Sequence, residues 1–189
     1  MATVELQKMT PAEYLAFERA SDLRHEFVNG EVREVTGARR PHNLVAGSIF
    51  AFLYSTNLEG TFEVYQNDMR VRIPGGSYYY PDVVVTPSPP ELEDDYGDTV
   101  TNPLAAFEVT SPSTEAIDRS EKLANYQRME SLTDYLIVSQ DEVRVDHYRR
   151  IDDRRWELTI YDSLDAMLSL SSIKCELPLK KVYERVDIK

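Results

Sequence analysis

The chain has 189 residues, 42% of them hydrophobic, and its 21 basic and 33 acidic side chains leave a formal net charge of -12 and a pI near 4.7. That length can bury roughly 70% of the unfolded surface around one core, so a single domain spanning 1–189 is expected and neither a metal nor a disulfide is needed to hold it. The acidic balance argues against a protein that coats nucleic acid, and the lone Cys175 rules out an internal disulfide.

One cysteine, read as a small buried hydrophobe, fits a reducing compartment, so a cytoplasmic location is expected. The N-terminal MATVELQKMT has no basic segment leading into an apolar run, and no apolar stretch reaches the roughly 18 residues of a membrane span. A soluble protein without membrane contact is expected.

The first element is TPAEYLAFERA, in which Thr10 as N-cap, Pro11 at the first helical position and Glu13 three residues after the cap predict a helix with a capping box. HEFVNGEVREV follows as two alternating runs joined by Asn29-Gly30, which predicts an antiparallel hairpin over 25–35. Val45, Ile49, Phe52 and Leu53 recur at helical spacing, so a helix started by Pro41 is expected to pack on the sheet. FEVYQNDMRVRI (62–73) and YPDVVV (80–85) read as strands, separated by Pro74-Gly75-Gly76.

PSPPELEDDYGDTVTNP, with five acids in 91–98, reads as an irregular, mobile loop. Next come the apolar run LAAFEVTS, a helix over STEAIDRSEKLANYQRME and the buried strand DYLIVS. This order predicts a crossover with 107–109 and 135–138 parallel. VRVDHYRR and RRWELTIY predict a second hairpin, and LPLKKVYERV a closing helix. The arginine pairs at 39–40, 70 and 72, 149–150 and 154–155 read as solvated surface.

Two strands that look interior each carry one acid, Asp82 and Glu108. Pro81-Asp82 is poor strand material, so either Pro81 marks where the strand begins or Asp82 has a partner. Neighbouring buried carboxylates call for a cation, shared protonation or a hard metal ion. Taken singly, Asp82 reads as a turn residue and Glu108 as an edge-strand surface residue. On the following helix, Asp118, Lys122, Tyr126 and Met129 share one stripe, which aims an ammonium at the strand ends. Without the strand acids, Asp118 and Lys122 would read as an exposed ion pair.

Pro81-Asp82, EVTSPST at 108–114 and Asp118, Lys122 and Tyr126 together resemble the Uma-two family of restriction-endonuclease-like proteins, within the PD-(D/E)XK nuclease superfamily. HEFVNGEV at 25–32 and His42 at a helix start extend the resemblance to residues 9–185. Departures are Thr110 where the superfamily has lysine, Tyr80 where arginine is common, and Leu136 and Ser139 in place of tryptophan and aspartate. The resemblance implies an α/β (α+β) fold: a restriction-endonuclease-like core with a central mixed β-sheet flanked by helices and with N-terminal and C-terminal hairpins.

It also implies a metal-dependent DNA endonuclease. Asp82, Glu108 and the Val109 carbonyl would bind Mg²⁺ or Mn²⁺, Lys122 would act on the attacking water, and Glu26 would complete the acidic cluster. His42, Asp118 and Tyr126 would stand behind these groups, with DNA as substrate and a homodimer as the assembly. Two rivals follow from the acidic charge. One is a nuclease-like partner-binding or regulatory module without catalysis; the other is a metal-dependent phosphohydrolase of small nucleotides.

Overall fold

The computed structural model describes residues 8–111 and 114–188. The residues MATVELQ and the centre of the EVTSPST motif therefore lie outside the described residues. In chain order, helix α1 (Pro11–Ala20) leads into strands β1 (His25–Val28) and β2 (Glu31–Glu34), then helix α2 (Arg40–Thr56). Strands β3 (Phe62–Gln66), β4 (Arg70–Ile73), β5 (Ser77–Tyr79), β6 (Val83–Pro87), β7 (Thr99–Val100) and β8 (Ala105–Thr110) follow. A broken helix comes next: α3 (Glu115–Ile117), a π-helical segment (Asp118–Lys122) and α4 (Leu123–Tyr126). Strands β9 (Asp134–Ser139), β10 (Val145–Asp152), β11 (Arg155–Tyr161), β12 (Met167–Leu170) and β13 (Cys175–Pro178) precede α5 (Leu179–Tyr183).

Local chemistry accounts for the elements the sequence predicts. Thr10 accepts from the Glu13 amide while the Glu13 carboxylate accepts from the Thr10 amide, completing the capping box of α1. Asn29 and Gly30 both take positive φ, 52° and 92°, as a two-residue hairpin turn requires, and fix the pairing Glu26↔Arg33. β8 and β9 run parallel in the predicted crossover, and β10 and β11 form the predicted C-terminal hairpin.

The strands form a six-stranded mixed sheet of order β11-β10-β9-β8-β6-β3, a five-stranded sheet of order β2-β1-β5-β4-β7 and a small β12-β13 pair. Both faces of the larger sheet are covered. Val83, Val85, Phe107 and Leu136 pack with Val45, Ile49 and Leu53 of α2 and with α5. Val84, Ala106, Tyr135 and Ile137 face the five-stranded sheet and Tyr126. β8 is buried at every position, which explains its near-continuous apolar run.

Two strand expectations are corrected. FEVYQNDMRVRI is two strands, because Asn67 turns left-handed at φ 60° and the chain passes from the larger sheet to the smaller. The chain returns at Tyr80-Pro81-Asp82, between β5 and β6, so the strand starts at Val83. The Asn67 amide donates to the Asp82 carbonyl at 3.2 Å, so the two crossings lie side by side. The helix predicted to run on to Glu130 ends at Tyr126.

The acidic segment is also more ordered than the sequence predicts. Arg19 binds Asp94 and Asp98 at 2.8 and 2.9 Å and stacks on Tyr96. Arg70 is buried, not solvated, and pairs with Asp98, Thr99 and Tyr80. Arg19 and Arg70 hold the Asp98 carboxyl well below the usual carboxylate range. A depressed carboxyl contributes stability above its unfolded pKa and loses it as pH falls through the folded value. Asp98→Asn is expected to lower stability by about 1 kcal/mol after solvent screening. It should also speed amide exchange across 91–98 about five-fold at pH 7, measured by hydrogen exchange. Unchanged exchange would reject the clamp.

Candidate active site

Asp82 stands where the chain enters β6, and Pro81 before it has no amide to lose from the ladder. Both alternatives from the sequence hold: the strand begins just after Pro81-Asp82, and Asp82 has partners. The pairing Val83↔Phe107 puts Asp82 beside Glu108 one step further along the register. The Val109 amide donates to Asp82 Oδ2 at 2.7 Å, and His42 Nε2 lies 3.2 Å from the same oxygen. His42 sits in the first turn of α2, which aims it at the strand end.

Glu108 is not an edge-strand surface residue. β8 lies between β6 and β9, and alternation sends Phe107 and Val109 to one core and Glu108, with Ala106, to the other. Asp118 and Lys122 are not an exposed pair either, since both are buried. The π-helical segment carries them, a feature that often marks functional positions. Lys122 Nζ lies 2.8 Å from Glu26 Oε1, 3.0 Å from Glu108 Oε2 and 3.6 Å from Asp118 Oδ1. Tyr126 donates to Glu108 Oε1 at 3.3 Å, and Tyr135 donates to the Asp118 carbonyl at 3.0 Å.

Four carboxylates, Glu26, Asp82, Glu108 and Asp118, therefore share a small volume with one ammonium. Burial pushes the Glu108 carboxyl well up; Lys122 opposes this, and Asp118, Asp82 and Glu26 add to it. Burial also raises Asp118. Burial works against the charged form of Lys122, but Glu108, Glu26 and Asp118 outweigh it and hold the ammonium well above its ordinary pKa. The Tyr126 phenol is pushed up chiefly by burial, then by Glu108.

The donor set fits a hard divalent cation: carboxylate oxygens in excess of local positive charge, around a cavity of about 270 Å³. Among the described residues, no three acidic, histidine or cysteine side chains already form a ligand shell. The reason is visible in the partners, because Glu26 and Glu108 turn to Lys122 while Asp82 turns to the Val109 amide and His42.

Glu26, His42, Asp82, Glu108, Val109, Asp118 and Lys122 all line this cavity, and Tyr126 touches it through Glu108. His25 and His147 do not join it; they pair with Glu18 and Asp134. Sequence reasoning missed Arg33, Tyr80 and Asn67 on the cavity wall. Arg33 grips Glu121 at 2.7 Å, bracing the π-helical segment from the hairpin. The Asn29-Gly30 register, which sets Arg33 opposite Glu26, was the available signal.

The profile of the Uma2 family, described as "Putative restriction endonuclease", matches residues 11–180. "Uncharacterized protein sll1609" of Synechocystis sp. is 33% identical over 175 residues, covering 92% of this chain and 99% of that protein. "Uncharacterized protein slr1290" of the same organism is 32% identical over 178 residues, 93% of this chain and 92% of that one. A crystal structure described as a putative nuclease belonging to DUF820, from Anabaena variabilis, superposes with a TM-score of 0.76. The superposition covers 93% of this chain and 98% of that one at 16% identity, so the mixed α/β fold is shared with it. With its sheets, its acid-lined cavity and a match over most of its length, the chain belongs to the Uma2 family.

Proposed function

We propose that the chain is a metal-dependent endonuclease that hydrolyses phosphodiester bonds in DNA. The observation that carries this reading is the set of half-buried Asp82 and buried Glu108 and Lys122, all reached from one cavity. Membership of a family described as "Putative restriction endonuclease" supports it.

Asp82, Glu108 and the Val109 carbonyl would hold Mg²⁺ or Mn²⁺. Bound there, the ion supplies Lewis acidity to a phosphate oxygen and lowers the pKa of a bound water. Lys122 orients the attacking water and offsets negative charge developing on the phosphate, and Glu26 fixes the ammonium in place. His42 and the Val109 amide orient Asp82. Two copies related by a twofold axis would serve both strands of a duplex, so a homodimer is part of the proposal.

The net charge of -12 and the modest cavity favour a second reading, hydrolysis of small nucleotides. Purified protein is expected to cut plasmid DNA with Mg²⁺ or Mn²⁺ and to stop on addition of EDTA, followed by gel electrophoresis alongside release of phosphate from mononucleotides. Turnover of mononucleotides alone would move the assignment to the phosphohydrolase, and metal-independent cutting would reject the metal centre. No turnover of either substrate, with Mn²⁺ still bound, would favour a non-catalytic nuclease-like module.

A further inference from the structure

We infer that Lys122 is a resident cation that must release Glu108 before a divalent ion can be held, and that Glu26 is the acceptor that keeps the ammonium rather than a metal ligand. The inference rests on the metal-centre reading above. Both oxygens of Glu108 are engaged by donors: Oε2 by Lys122 Nζ at 3.0 Å and Oε1 by Tyr126 at 3.3 Å. Each oxygen keeps a second lone pair, but an ion taking the one on Oε2 would be set against the ammonium already bound there, so Lys122 and the ion compete for that oxygen.

The structure also holds an alternative seat for the ammonium. On leaving Glu108, Lys122 keeps Glu26 at 2.8 Å and Asp118 at 3.6 Å, and its Nζ already lies 5.4 Å from the centre of the Tyr79 ring. The charge therefore never becomes a buried ion without a partner, which would be strongly unfavourable. Arg33 on Glu121 and Tyr135 on the Asp118 carbonyl hold the π-helical segment still, so the exchange needs only a side-chain movement. Asp82 makes no contact with Lys122, so one of the two proposed ligand acids stands clear of the competition.

The test is calorimetric titration of Mn²⁺ alone, without nucleic acid, into wild type, Lys122→Met, Glu26→Gln and Arg24→Met. Lys122→Met is expected to bind Mn²⁺ at least ten-fold more tightly, while Arg24→Met, which removes from the cavity wall a charge paired with Asp68 rather than Glu108, changes affinity less than about three-fold. Glu26→Gln is expected to weaken binding several-fold without abolishing it, because Lys122 then clings to Glu108. Equal or weaker binding by Lys122→Met, or abolition by Glu26→Gln, overturns the inference. A wild-type measurement stands beside these should Lys122→Met fail to fold: amine-selective labelling of Lys122, read by mass spectrometry, is expected to rise several-fold with Mn²⁺, and unchanged labelling overturns the exchange. No Mn²⁺ binding by any variant, wild type included, would instead reject the metal centre itself.

Discussion

Asp82→Asn is expected to lower metal-supported DNA cleavage by about 10³-fold while leaving the fold intact. Asparagine keeps the size of aspartate and an oxygen that accepts from the Val109 amide, now 2.7 Å from Asp82. What it removes is the negative charge beside Glu108. That charge raises the proton affinity of Glu108, so its loss relieves repulsion in the metal-free protein and stability should hold or rise slightly. Glu108→Gln should produce a similar loss of cleavage. Initial rates of plasmid nicking, with circular dichroism as the check on folding, decide the matter; a folded Asp82→Asn protein that keeps a tenth of the wild-type rate would remove Asp82 from the chemistry.

The second large effect is on stability. Lys122→Met is expected to cost about 3–5 kcal/mol at pH 8, the usual result of stripping one partner from a buried ion cluster. The pH dependence has a definite sign. The folded state raises the pKa of Lys122 above 10.5, so its stabilisation is fully present below that pH and fades only as pH climbs through the higher folded value. The folded state also raises the Glu108 carboxyl above 4.5, so ionising Glu108 opposes folding, and Lys122 offsets that penalty.

With the ammonium gone, the offset is gone. The deficit of Lys122→Met relative to wild type should therefore be smallest at low pH, where Glu108 is protonated in both folded proteins, and grow as pH rises through the wild type's raised Glu108 value, where only the variant keeps that proton. Urea melts of both proteins at pH 5 and pH 8 measure it. An identical deficit at the two pH values would mean that the carboxylates do not feel the lysine.

Much of this could be read from the chain before folding was considered. The capping box at Thr10, the Asn29-Gly30 turn and the apolar runs of β8 and β9 are local signals, and local physics decided those elements. The acids at 82 and 108 and the stripe of Asp118, Lys122 and Tyr126 were legible because charge inside apolar surroundings is conspicuous. Other features are settled only by tertiary contacts. Nothing in FEVYQNDMRVRI marks the change of sheet at Asn67 except a polar pair, and β-propensity runs straight through it. The π-helical turn has no residue signature, since it adds no glycine or proline. Arg70 looked like surface because its partners, Asp98, Thr99 and Tyr80, lie 10 to 29 residues away in sequence.

The paired passages of the chain at Asn67 and at Tyr80 to Asp82 have a mechanical meaning. They stitch the two sheets together on the wall of the acid-lined cavity, and the Asn67 amide on the Asp82 carbonyl knots the seam. Swinging the layers apart like jaws to admit a bulky guest would break that bond and displace Asp82 itself. On the proposed function, a phosphodiester would then have to come to the acids, bending or fraying if it is part of a stiff helix, while the protein serves as the anvil.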